Sequence, residues 1–187
     1  MRKILRVKLP KPRREEEEFR SQGGLVLCPD CHSVYHKKRW QHSVNALGVK
    51  EVEQMTDKDT KIKFQICPAC KMIQRGQYEG RIRIYAVPPQ SEKALEELIR
   101  GFCRGAFEID PMDRLIGIKK GSPSTGHAYR QAGSGQTVWT VTTTENQLAN
   151  KVGRRIKNIF PRAKVKTKFT GGGSDVAEVV VEFPKNE

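Results

Sequence analysis

No stretch of this 187-residue chain stays apolar over the roughly 18 positions that a membrane-spanning helix needs, so no span is expected. The opening run Met1-Arg2-Lys3-Ile4-Leu5-Arg6 lacks the apolar centre of a secretory signal, which argues against an oxidising compartment and for the cytoplasm. Aromatic residues make up only 7% of the chain, and no strand carries the aromatic signature with which RRM domains stack bases. There is no P-loop, GxSxG or HExxH, and no pair of carboxylates in an interpretable context. His127 sits near Ser122, Ser124 and Thr125, but no third group completes a catalytic set. A non-enzyme with no small-molecule substrate is therefore expected. Acid is also scarce. Against 35 Lys and Arg stand 21 Asp and Glu, a formal charge of +14, and such an excess calls for a polyanionic partner.

Five cysteines are present, and four of them fall in two matched knuckles, Cys28-Pro29-Asp30-Cys31 and Cys67-Pro68-Ala69-Cys70. Two tight loops of two thiols each supply the four soft ligands of a tetrahedral zinc ion, so Cys28, Cys31, Cys67 and Cys70 are the expected Zn2+ ligands. The 35 residues between the knuckles exceed the usual ribbon spacing, and loop closure tolerates this because its cost grows slowly with length. An iron site with four thiolates has the same donor set. A thiol redox enzyme is a further alternative, although such sites use one knuckle beside a βαβ pattern. His32, His36 and His42 flank the first knuckle and read as solvent or RNA contacts, and Cys103 as a small core residue.

Three regions follow from composition. Residues 1–24 hold eight basic residues, two prolines and the run Glu15–Glu18, with too little apolar content for a core. They read as a basic arm, disordered when free, with Arg2, Lys3, Arg6 and Lys8 placed for nucleic acid. Residues 25–80 read as a zinc ribbon whose inserted segment carries Lys37-Lys38-Arg39-Trp40, charges beside an aromatic that suit phosphate contact and base stacking. Trp40 itself reads first as packed on the ribbon, with base stacking as the alternative. A short helix is placed between Ser43 and Met55.

Residues 81–187 alternate between strand and helix patterns in the order βαββαββ. Strands are expected at Arg81–Val87, Leu115–Ile118, Thr137–Thr143, Lys164–Thr170 and Ala177–Phe183. One helix is capped by Ser91, with Leu95, Leu98, Ile99 and Phe102 as its apolar face. A second is capped by Thr144 and runs to about Phe160. The residues from Gly121 to Gly135 read as a loop. The fold class is thus α+β: an N-terminal zinc ribbon followed by a ferredoxin-like βαββαββ sandwich with a C-terminal hairpin.

On the second helix, Leu148, Val152, Ile156 and Ile159 share one arc, and Lys151, Arg154, Arg155 and Lys157 lie opposite. With Arg162, Lys164, Lys166 and Lys168, residues 151–170 carry eight positive charges and no acid. A solvated surface normally mixes the two signs, so phosphate binding is expected here. No helix-turn-helix or zinc-finger helix is present to read a DNA groove, which favours structured RNA. A DNA-binding transcription regulator is the alternative.

The segment from Cys28 through His32, Tyr35 and His36 to Trp40, then Cys67–Cys70 with Gly80 and a strand, then Thr142–Ala149 with Gly153-Arg154, resembles small bacterial zinc-ribbon proteins. Those are in turn similar to the nonsense-mediated-decay-three family of archaea and eukaryotes. The resemblance implies binding to ribosomal RNA of the large ribosomal subunit, in biogenesis, dormancy or quality control. Only one pair of knuckles and no evident export-signal tail are found, so the export role of the eukaryotic members is not implied.

Overall fold

The computed structural model describes residues 25–36, 38–42, 62–121, 138–169 and 176–184. The basic arm, Lys37, the Ser43–Met55 helix and the loop after Gly121 lie outside the described residues.

A short four-stranded sheet comes first: β1 (Leu25–Leu27), β2 (Val34–His36), β3 (Arg39–Gln41) and β4 (Ile62–Phe64), in the order β3-β2-β1-β4. β1 is antiparallel to β2 and parallel to β4. That parallel pairing brings the chain back beside the first knuckle just before it enters the second. There α1 (Pro68–Arg75) begins, a helix that the sequence reading did not place. Its signals were local. Cys67 is the N-cap, Pro68 occupies the first turn where a missing N–H costs nothing, and Gly76 closes the helix at φ 64°.

The second sheet is larger. It contains β5 (Gly80–Tyr85), β6 (Leu115–Gly121), β7 (Val138–Thr143), β8 (Lys164–Phe169) and β9 (Ala177–Glu182), with α2 (Glu92–Ile109) after β5 and α3 (Asn146–Ile159) after β7. The strand order is β6-β7-β5-β9-β8. β5 and β9 are parallel and the other neighbours antiparallel, so the sheet is mixed. Thus β9 lies inside the sheet and β8 on its edge. Composition explains this choice. Ala177, Val179 and Val181 of β9 are fully buried, whereas Lys164, Lys166 and Lys168 of β8 are exposed. The apolar strand takes the covered position, and the lysines guard the edge against stray pairing.

α2 and α3 pack on one face. Ile82, Ile84, Trp139, Val141, Val179 and Val181 from the strands meet Leu95, Ile99, Cys103, Leu148, Val152 and Ile156 from the helices. Two glycines permit this approach. A Cβ on Gly80 would lie 2.2 Å from Thr143 Oγ1, and one on Gly153 would lie 2.7 Å from Val179 Cγ1. The expected caps differ. Ser91 makes no capping hydrogen bond and instead ends a short 3-10 turn that leads into α2. Thr144 is spent elsewhere: its hydroxyl accepts from Arg114 N at 2.9 Å and donates to Met112 O. Ile159, expected on the apolar face of α3, is 49% exposed.

Candidate metal centre and basic surfaces

Cys28 leaves β1 into a tight turn. Its N–H donates to Ser33 O at 2.8 Å, and its carbonyl accepts from His32 N at 2.9 Å. His32 takes a left-handed φ of 59° to complete the turn. This folds Cys31 back beside Cys28. Cys67 arrives from β4, and one turn of α1 brings Cys70 onto the same point. The four Sγ atoms lie within 4.8 Å of one another, with Cys31 and Cys67 at 3.6 Å. All four cysteines are free thiols. An ion with metal–sulfur bonds of about 2.3 Å places tetrahedral sulfurs about 3.8 Å apart, so the cluster fits a tetrathiolate ion. Iron and zinc both accept this donor set.

Two backbone donors point at the sulfurs. Cys67 N donates to Cys28 Sγ at 3.3 Å, and Cys70 N donates to Cys67 Sγ at 3.4 Å. The latter donor belongs to the N-terminus of α1, whose dipole favours negative charge. Gln74 donates to Asp30 at 2.7 Å and ties α1 to the first knuckle. Burial raises the Cys70 thiol to about 12 and also raises Cys67; hydrogen bonds between the two hold each down in part, and Cys31 and Cys28 add to both rises. Burial raises Cys31 as well. Its hydrogen bonds with Ser33, Cys28 and Cys67 outweigh that and bring it down to about 7. A bound cation would displace these protons, so metal affinity is linked to pH.

The centre also touches the larger sheet's domain. Arg114, between α2 and β6, donates from Nη1 to Cys70 Sγ at 3.5 Å. The same guanidinium donates from Nε to Pro111 O at 3.1 Å and stacks 4.5 Å above the Phe107 ring. Met112 packs on the cysteine core. His42 meets the Phe107 ring edge-on at 4.7 Å and hydrogen-bonds its carbonyl. His42 is thus a contact between the two sheets' domains, where a solvent or RNA contact was expected. Sequence reasoning missed Arg114 altogether. Its partner Cys70 is 44 positions away, and no local pattern marks the pair.

The expected RNA contacts separate into groups. Arg2, Lys3, Arg6, Lys8 and Lys37 lie outside the described residues. Lys38 and Arg39 are exposed at the β2–β3 turn. Trp40 is only 8% exposed, with its ring 5.5 Å from that of Tyr35 in the cysteine core. The base-stacking reading is therefore corrected: among the described residues Trp40 packs on the small sheet with Val26 and Tyr35. On α3, Lys151 pairs with Asp113 at 3.3 Å. Lys157 is also engaged, donating to the carbonyls of Pro161 and Ala163 at 2.7 and 2.8 Å, where it satisfies acceptors at the helix C-terminus. Arg154, Arg155 and Arg162 are exposed, as are the three lysines of β8.

The single basic surface expected from residues 151–170 is in fact two. Val165 and Thr167 register with Val181 and Val179, whose side chains face the helices. Strand side chains alternate, so Lys164, Lys166 and Lys168 point to the opposite face of the sheet from α3.

Among the described residues, no helix is long and apolar enough to cross a membrane. No family model, curated protein or solved structure matches this chain.

Proposed function

We propose that this chain is a zinc-stabilised, non-catalytic RNA-binding protein of the cytoplasm that docks on the ribosome, with large-subunit RNA as its target. The observation that carries the RNA reading is the set Arg154, Arg155, Arg162, Lys164, Lys166 and Lys168. All six are exposed, and none has an acidic partner among the described residues. Cations in such density are stabilised by a polyanion that releases its counterions on binding. The large subunit as target, and the ferredoxin-like description of the larger domain, come from the resemblance and the element order. Zinc is the ion read from the paired knuckles, each of which has the ligand spacing of structural zinc ribbons, and it would supply a fixed cross-link between them.

The thiol redox reading has one observation in its favour, the lowered Cys31 thiol. Its three partners are buried, and two of them are pushed up, whereas a reactive pair needs exposure and a low-lying nucleophile. Sedimentation of cell extract tests the ribosome reading. The protein should travel with ribosomal particles at low salt, leave them at high salt, and be released by ribonuclease but not by deoxyribonuclease. Retention in the top fractions at low salt, in both growing and resting cells, overturns it. Release by deoxyribonuclease alone would point to a DNA regulator.

A further inference from the structure

The sheet face turned away from α2 and α3 is itself patterned. One row across the strands reads Lys119, Thr140, Arg83, Val180 and Lys166. The next reads Thr142, Arg81, Glu178 and Lys168. On the other side the row reads Val138, Tyr85, Glu182 and Lys164, and Tyr85 and Val138 are buried there with Val180 packed against them. Glu178 is shared by Arg81 at 3.4 Å and Arg83 at 2.9 Å. Lys164, Lys166 and Lys168 make no ion pair among the described residues, and Lys166 faces a valine rather than an acid. These three lysines lie in a line along one edge, about 6.6 Å apart at a strand's rise per residue. That is comparable to the separation of successive phosphates on an extended nucleic-acid strand.

We infer that β8 is a rail for the backbone of single-stranded RNA, an inference that rests on the RNA-binding reading above. Each lysine takes one phosphate of the strand. The bases then turn inward over Val180 and the Arg83 guanidinium, a half-buried apolar side chain flanked by a planar cation. Unpaired bases gain from such a surface, because every base has a face to stack, whereas paired bases in a duplex are already stacked on one another. Edge protection alone accounts for lysines on β8. Arg81 and Arg83 share a single acid, Glu178, and with Lys119 of β6 they leave the same face net positive beyond the edge strand.

The test uses the metal-loaded full chain with an unstructured RNA oligonucleotide and, separately, the same sequence annealed to its complement. Affinity is followed by fluorescence anisotropy across a salt series. With Lys164, Lys166 and Lys168 all changed to Gln, the slope of log K against log salt for the single strand should become shallower by about 2, since each phosphate contact on a single strand contributes about 0.7. Duplex affinity should change less. Lys166→Arg should keep the wild-type slope, and Lys166→Glu should lose more than Lys166→Gln. A thermal melt confirms that each variant is folded. Unchanged single-strand binding in the triple variant overturns the rail while leaving the RNA reading intact. So does an equal loss on duplex and single strand, or self-association with unchanged RNA affinity, which would mark the lysines as edge guards. If the wild-type chain binds neither RNA, the RNA reading fails and takes the rail with it.

Discussion

Among the described residues, six buried ones form the core under the cysteine sheet, three of them cysteines, and sixteen form the core under the five-stranded sheet. The first set is too small to fold three-residue strands unaided, and domains of that size are usually stapled by a metal or by disulfides. The second buries Trp139, four isoleucines and two leucines completely, and needs no staple. The two regions thus reach order by different routes, one through coordination and the other through packing. Their chemistry should be separable even though Arg114, Met112 and His42 hold them in contact.

The sharpest separation comes from Cys67→Ser. Loss of one thiolate should abolish stoichiometric metal binding, which is worth on the order of 10 kcal/mol in small zinc domains. Hydrogen exchange should then show β1–β4 and α1 unprotected and β5, β7 and β9 still protected. Protection lost throughout would break the comparison. The reciprocal change is Trp139→Ala. Truncating a fully buried tryptophan should cost the larger domain about 3–5 kcal/mol by urea unfolding, while metal content stays at one ion per chain. Smaller again is Arg114→Ala. It removes the donor to Cys70 from outside the coordination shell, and such changes weaken metal retention about 10–100-fold. Competition with a chelator measures this, and Arg114→Lys should recover part of it.

The smallest effect concerns Glu145. Burial raises its carboxyl to about 7, helped by Glu79, Asp113 and Asp110 and opposed by Lys151. A carboxyl with a raised value in the fold stabilises it at pH below the ordinary carboxylate range. That contribution is lost as pH rises from there through about 7. Glu145→Gln should therefore raise the melting temperature at pH 8 relative to wild type and change it little at pH 4. A larger gain at pH 4 would contradict this assignment.

Much of this was legible along the chain, for reasons that differ between elements. The knuckles declare themselves because both ligands of each lie within four residues, and the metal cluster follows. Strict alternation in Arg81–Tyr85 and the stripe Leu148, Val152 and Ile156 announce a strand and a helix, since periodicity is a local property. Strand order is not local. That β9 lies beside β5 depends on Gly80 meeting Ala177, and nothing near either residue states it. The same gap led Lys164, Lys166 and Lys168 to be grouped with α3. A helical wheel and a strand pleat share no common frame until the sheet relates them. Trp40 was ambiguous because its burial depends on Tyr35 across a hairpin, through the register Tyr35↔Trp40. The caps failed for another reason. Ser91 stands at the N-cap of α2 but makes no capping bond, and Thr144 stands one position before the N-cap of α3, Glu145, with its hydroxyl held in the α2–β6 turn.

The parallel pairing of β5 with β9 also bears on how the chain folds in time. β5 is made early, pairs with β7 only once residues 138–143 arrive, and keeps its other edge open until residues 177–182 arrive. Through that interval an apolar strand carrying Ile82 and Ile84 presents unpaired main-chain groups, and α3 lacks Val179 and Val181 beneath it. Such late, long-range closure slows folding and exposes the nascent chain to misassembly. The hairpin β8–β9 then works as a closing clasp. β9 fills the gap, and the lysines of β8 give the new edge a charge that repels a second chain.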